Sequence, residues 1–472
     1  MSTRRLRSDW PFKRPAVVLS GGGALGAYQI GVLKVLRAVG VTPAIVGGLS
    51  VGAINAVAWV AQGFETDRLE RTWLRLGPSS IGLRRTTLTL RLAGSLLAML
   101  AALEIALALF GSPETGLARQ LLHLRAAPQA PSWVYDALAW LVVGAIGLVA
   151  ALLAGPAESW FANAALAGDP ERWERWFGRA LLVALGAHLG AWVFGWPWPH
   201  RFGATVLLVG GLVWLANRRG RAGQWLRLAL ARLFPESGGR GLWRGLARRR
   251  LLAGMVAEGV PSRLVSGEVR LLVSAVAVES GRMCYFVNWD PVEPGFARAV
   301  DQAMGEVQVL RDPAEMLEAA AASSAIPMVF QPVRFRGRDY LDAGMFSGQP
   351  LHAAAAAGAD ALLVVIMSPS VCPRPSSEEM NLFEVGSRLF ELASWRDLRS
   401  EFGTLPPPWS REGDPARICV VEPESLLPGG LLRFEPREAL ELVRRGEEDA
   451  WRALERAGWL APEGAAEPPP AS

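Results

Sequence analysis

Ser50 is the one reactive hydroxyl in a short stretch of glycine and small apolar residues. Gly48-Leu49-Ser50-Val51-Gly52 follows the apolar run Ala44-Ile45-Val46 and leads into a helix-like segment. A serine flanked by glycines between a strand and a helix sits on a bend tight enough to lift its hydroxyl above the strand end, where it can act as a nucleophile. Upstream, Gly21-Gly22-Gly23-Ala24-Leu25-Gly26 follows a second apolar run, Ala16-Val17-Val18-Leu19. A loop with almost no side chains leaves the backbone N–H groups of Gly21, Gly22 and Gly23 free to face an anion at a helix N-terminus. A nucleophile beside an oxyanion-binding loop suggests acyl transfer.

Such chemistry needs a base, and histidine is scarce: only His123, His188, His200 and His352 occur. The first three lie in or beside a long apolar block, and His352 falls in a helix-like run where it reads as a surface or packing residue. Tyr340-Leu341-Asp342-Ala343-Gly344-Met345 instead puts an aspartate on a turn directly after an apolar pair. A carboxylate held within hydrogen-bond reach can take the proton of a serine directly. Blander readings exist for each residue. Ser50 could simply cap the following helix, Asp342 could be an ordinary turn residue, and the glycine loop could serve close packing. The loop also satisfies G-x-G-x-x-G, but a dinucleotide fold wants an acid about 20 residues further on. No Asp or Glu lies between Gly26 and Phe64.

The elements that must position these residues alternate. Leu271–Val278, Ala361–Met367 and Arg417–Val421 read as strands. Pro313–Ala325, Leu351–Gly358 and Pro436–Ala457 read as helices, two of them opening on proline. The alternation predicts an α/β fold with a mainly parallel sheet covered by helices.

The chain has 472 residues, 51% of them hydrophobic, with 19 Trp and a formal charge of +5. The positive charge is almost all arginine, clustered beside apolar runs, which favours a membrane surface over nucleic acid. Cys284, Cys372 and Cys419 lie too far apart for a metal-binding spacing or a disulfide framework. Met1 to Lys13 is basic without the apolar stretch of a secretory signal. Between Ser80 and Arg250 four apolar runs occur: Leu92–Phe110, broken only by Glu104, Leu138–Ala154, Ala180–Phe194 and Gly203–Ala216. A spanning helix needs roughly 20 apolar residues. The first two runs are therefore expected to cross a bilayer, and the last two to cross it or to form a re-entrant pair. Glu104 is either a functional intramembrane acid or a residue facing a neighbouring helix. Arginines flank the block on both sides (Arg84, Arg85 and Arg91 before it, Arg218 to Arg250 after it). By the positive-inside rule this places the catalytic parts in the cytoplasm. Leu226, Leu230 and Leu233 beside Arg227 and Arg232 suggest an interfacial helix or a packed connector. The expected organisation is a basic segment 1–14, a first catalytic part 15–79 and a transmembrane helical insertion 80–220. An arginine-rich juxtamembrane segment 221–250, a second catalytic part 251–460 and a disordered tail 461–472 follow.

In order along the chain, Gly21–Gly26, Gly48–Gly52 and Asp342-Ala343-Gly344 resemble the motifs of the patatin-like phospholipase family. Ala322-Ser323-Ser324-Ala325-Ile326-Pro327 adds a softer match just before the aspartate. The resemblance covers about residues 15–76 and 252–425 and implies the patatin-like fold, here interrupted by a transmembrane insertion of a bacterial inner-membrane protein. It implies that Ser50 attacks an acyl carbonyl, that Asp342 takes its proton, and that amides at Gly21, Gly22 and Gly23 hold the oxyanion. Phospholipids or lysophospholipids drawn from a bilayer are the implied substrates, with no cofactor, metal or nucleic acid, and a homo-oligomer left open. Two departures stand out. Leu25 occupies a position that is often Arg or Lys in the family, and Ala343 replaces a glycine, at a cost of about 1 kcal/mol if φ there is positive. Lipid acyl transfer on the same pair is a close alternative, as is a transport or scaffold protein with a regulatory patatin-like domain.

Overall fold

The computed structural model describes residues 5–81, 241–243, 245–345, 350–371 and 400–461, with scattered positions between 94 and 148 and between 392 and 396. The chain divides into two compact units, one of Met1–Ile81 with Arg248–Ser472 and the other of Gly82–Ala247.

In the first unit the apolar runs become buried strands. β1 (Pro15–Leu19), β2 (Ile45–Leu49) and β8 (Ala361–Val365) are buried at every residue, as continuous apolar sequence requires of strands covered on both faces. Helices α1 (Ala27–Val39) and α2 (Val51–Ala61) follow β1 and β2. Gly40, in the left-handed region with φ 87°, stops α1 by donating its N–H to the carbonyls of Leu36 and Arg37. The short α3 (Asp67–Trp73) comes next. Beyond the second unit come α4 (Leu246–Ala257), β3 (Arg270–Ala277), β4 (Met283–Val287), α5 (Pro294–Gln302), β5 (Gly305–Val309) and α6 (Pro313–Ser323). Asp312 caps α6 by accepting the Ala314 N–H, with Pro313 in the first turn. The hairpin strands β6 (Val333–Phe335) and β7 (Arg338–Leu341) precede α7 (Leu351–Ala356), and β9 (Ile418–Val421) and α8 (Pro436–Arg456) complete the unit.

The sheet has the order β9-β8-β1-β2-β3-β4-β5, with β7 and β6 joined at the end of β3. The neighbours from β9 to β3, and β4 with β5, run parallel. The β3–β4, β3–β7 and β6–β7 pairs are antiparallel. From β1 the chain first builds towards β2 and β3, and later returns on the other side with β8 and β9. The crevice beyond the C-terminal ends of β1 and β8 is therefore a topological switch point, where open α/β sheets bind ligands. The glycine loop begins there, Ser50 follows the parallel neighbour β2, and Asp342 follows β7 beside the C-terminal end of β3, where Leu341 pairs with Val276.

The expectation of an integral membrane protein is corrected. Among the described residues no helix is long and apolar enough to cross a membrane. At about 1.5 Å per residue, only the 21-residue α8 approaches the length of a span, and Arg and Glu recur along it. Placing the catalytic part in the cytoplasm rested on those spans and falls with them. In the second unit the described residues include the short strand Gly241–Trp243 and helical positions such as Ala101, Leu141 and Leu148. Most of the four apolar runs, Glu104, the Leu226–Leu233 segment, His123, His188, His200, Cys372 and the tail from 462 lie outside the described residues.

Candidate active site

Ser50 terminates β2 at the N-cap of α2, with φ 56° and ψ −124°. A non-glycine residue there is strained by roughly 1–3 kcal/mol, and the neighbours hold it in place. A Cβ on Gly52 would stand 2.2 Å from the Leu19 carbonyl oxygen, and one on Gly48 would stand 2.5 Å from that of Gly52, so only glycine permits this bend. The Ser50 N–H donates to Ser323 Oγ at 2.8 Å. Ser50 is 6% exposed and Asp342 is 2% exposed.

The structure brings the two sequence-predicted reacting residues together, close enough for the Ser50 hydroxyl to favour the ionised form of the Asp342 carboxylate. Asp342 Oδ1 also accepts the Gly344 N–H at 2.9 Å, and the Asp342 N–H donates to the Ala325 carbonyl at 3.0 Å. Burial pushes the Asp342 carboxyl up to about 6, against the opposing pull of Ser50, Gly344 and the Arg248 charge. That value leaves the carboxylate ionised yet basic near neutral pH, as a general base requires. Ala343 is not among the residues with positive φ, so the departure from glycine there carries no strain.

The glycine loop backs onto the nucleophile: a Cβ on Gly21 would stand 3.2 Å from Ser50 Cβ. Among the described residues the backbone N–H groups of Gly21, Gly22 and Gly23 have no hydrogen-bond partner, whereas Ser20 N–H donates to Val365 O and Ala24 N–H to Leu431 O. Gly23 has φ 56°, and a Cβ there would stand 2.0 Å from the Leu431 oxygen. A buried side-chain network fixes the loop from both ends. Gln29 Nε2 donates to the Ser20 carbonyl at 2.7 Å, and Asn55 Nδ2 donates to the Gly26 carbonyl at 3.1 Å and to Gln29 Oε1 at 2.8 Å. Trp73 Nε1 completes it by donating to Asn55 Oδ1 at 2.9 Å. Nothing in the sequence marks Gln29, Asn55 or Trp73, because polar residues inside helices show their partners only once α1, α2 and α3 pack.

An apolar pocket of about 50 Å³ opens beside Ser50 and Gly23, with Ile54, Trp73, Met255, Phe330 and Phe434 in its walls. Among the described residues, Arg248 is the one charged residue lining it. It is 5% exposed. Its Nη2 donates to the Ala321 carbonyl at 3.0 Å, its Nη1 donates to the Ser324 carbonyl, and its guanidinium lies 4.3 Å over the Phe330 ring. His352 does not line the pocket; its Nε2 pairs with Thr404 Oγ1 at 3.0 Å. Leu25 likewise does not line it. Among the described residues no group of three or more His, Cys, Asp or Glu could hold a metal ion, and Cys284 and Cys419 are separate buried thiols.

A family model of patatin-like phospholipases matches residues 17–355. No curated protein matches the chain. Among solved structures, VipD from Legionella pneumophila aligns at 12% identity with a TM-score of 0.35, covering 94% of this chain and 67% of that one. Because the family match takes in well over half of the 472 residues and runs through the glycine loop, the Ser50 bend and Asp342, the chain belongs to the patatin-like phospholipase family of lipid hydrolases.

Proposed function

We propose that the chain hydrolyses carboxylic esters of phospholipids or lysophospholipids through an acyl-Ser50 intermediate, with Asp342 as its proton carrier. The observation that carries this reading is the juxtaposition of the strained Ser50 with the buried Asp342 carboxylate, both backbones held by the Ser323–Ala325 segment beside an apolar pocket. Ser50 Oγ attacks the ester carbonyl carbon as its proton passes to Asp342. The carbonyl oxygen becomes an oxyanion, and the unpaired N–H groups of Gly21, Gly22 and Gly23 are its proposed donors. The ester C–O bond then breaks and Asp342 returns the proton to the departing alkoxide, releasing the alcohol and leaving acyl-Ser50. Water gives a proton to Asp342 and adds to the acyl carbon. Collapse of that second intermediate breaks the bond to Ser50 Oγ, which regains the proton from Asp342, and the fatty acid leaves.

The apolar pocket supports an acyl chain as the group held beside Ser50. Fatty acid release from lysophospholipid micelles and phospholipid vesicles, wild type against Ser50→Ala, tests the proposal. Release by the wild type that is lost in Ser50→Ala is expected. Equal release by both would overturn it, and no release by either on any lipid of the panel would favour a repurposed, non-hydrolytic domain.

A further inference from the structure

The last turn of a helix leaves carbonyls without intrahelical partners, and at the end of α6 those carbonyls belong to the segment that touches both proposed reacting residues. Ser323 Oγ accepts the backbone N–H of Ser50 at 2.8 Å, and two residues later the Ala325 carbonyl accepts the backbone N–H of Asp342 at 3.0 Å. Arg248 binds across this segment, with Nη2 on the Ala321 carbonyl at 3.0 Å and Nη1 on the Ser324 carbonyl. The two bonds flank Ser323 on either side. The planar guanidinium fork makes two divergent bonds from one rigid group, which an ammonium does not reproduce. Ser323 and Ser324 are both buried, Ser324 Oγ turning back to the Ala320 carbonyl at 2.8 Å.

The charge matters as well as the fork. Burying a cation is costly unless it has partners, and Arg248 Nε has no partner among the described residues. Burial, together with the neighbouring Arg249, lowers the Arg248 pKa to about 9, while Asp342 and Glu318 act to raise it. At neutral pH the group is therefore still a cation, and it acts on Asp342 alongside the Ser50 hydroxyl and the Gly344 N–H.

We propose that Arg248 is a positioning residue for the Ser50–Asp342 pair: its fork fixes the Ala321–Ala325 segment that holds both backbones, and it sets a buried cation on that segment. This rests on the dyad reading above. Arg248 borders the pocket, and the role assigned to it is exercised through Ser50 and Asp342 rather than on the reacting atoms.

Steady-state hydrolysis of p-nitrophenyl butyrate by the full chain, as a function of pH, tests the proposal with Arg248→Met, Arg248→Lys and Ser50→Ala. Arg248→Met should lower kcat on the order of 10²-fold, since small displacements of reacting groups cost that much, with KM little changed. It should also move the acid limb of kcat/KM to higher pH, which loss of a helix cap alone would not do. Arg248→Lys keeps the charge and loses the fork, so its acid limb should stay in place while kcat remains low. Wild-type kcat in either variant, or a reduced kcat in Arg248→Met with an unmoved acid limb, would overturn the proposal. If near-ultraviolet circular dichroism shows Arg248→Met unfolded, the kcat of Arg248→Lys decides: a low value supports the proposal and a wild-type value overturns it. Retained activity in Ser50→Ala would instead remove the dyad reading itself, so the two failures are distinguishable.

Discussion

Replacing Asp342 by asparagine preserves the shape of the side chain and removes its titration, which makes its effect on stability calculable. The native carboxyl titrates near 6 because of burial, against 3.8 in the ordinary case. Between those values the folded protein keeps a proton that the unfolded chain has lost, so stability falls as pH rises. The contribution of neutral Asp342 is thus fully present below about pH 4 and is lost as pH rises through about 6. At about 1.4 kcal/mol per pH unit, the gap amounts to about 3 kcal/mol. An asparagine at this position has no such loss. The stability of Asp342→Asn relative to wild type should therefore increase by about 3 kcal/mol between pH 4 and pH 7. Urea unfolding of both proteins across that range measures this directly. Over the same range the wild-type kcat/KM should fall about tenfold per pH unit below about pH 6, as the base becomes protonated. Asp342→Asn should be slower on the order of 10²–10⁴-fold at neutral pH. A stability difference that does not vary with pH, or an acid limb in the ordinary carboxylate range, would refute the reasoning.

Three further perturbations have distinct expected outcomes. Ser50→Gly relieves the strain at φ 56° while Ser50→Ala does not, so thermal unfolding should find the glycine variant more stable by about 1 kcal/mol or more, although both are inactive. Gly23→Ala forces a Cβ to 2.0 Å from the Leu431 oxygen at a positive φ; kcat for ester hydrolysis should drop on the order of 10²–10³-fold as the oxyanion donors shift. Asn55→Ala strands the Trp73 N–H, the Gly26 carbonyl and Gln29 Oε1 in the interior, and urea unfolding should register a loss of about 2–4 kcal/mol.

Much of the sheet and both proposed reacting residues are legible from local pattern. Continuous apolar runs ending in glycine turns mark β1 and β2, and the strand read at Leu271–Val278 is observed one residue earlier at each end, at Arg270–Ala277. The helix read at Pro313–Ala325 ends at Ser323, because Ser324 and Ala325 turn to present their carbonyls to Arg248 and Asp342. What local pattern does not carry is partnership across the chain. Arg248 is one of three consecutive arginines and reads as part of the arginine-rich juxtamembrane segment 221–250; only its packing against Phe330 and the end of α6 separates it from Arg249 and Arg250. Leu431 and Phe434 come from an irregular segment more than 350 residues beyond the glycine loop they cover. The antiparallel strands β4, β6 and β7 are also silent in the sequence: β4 is a short continuous apolar run that periodicity alone does not assign, and β6 and β7 are only three and four residues long with polar residues among them. The transmembrane expectation rested on the length of the apolar runs and their flanking arginines and tryptophans; most of those runs lie outside the described residues, and no described helix is long and apolar enough to cross a membrane.

The claim at the centre of this account is that Ser50 is a nucleophile activated by Asp342. Its most direct test is mass spectrometry of the chain after exposure to a fluorophosphonate probe at neutral pH, comparing wild type, Ser50→Ala and Asp342→Asn. The account predicts a single phosphonyl adduct on the peptide containing Ser50, no adduct in Ser50→Ala, and much slower labelling in Asp342→Asn. An adduct that persists in Ser50→Ala, or labelling of Ser50 that is indifferent to Asp342, would contradict it.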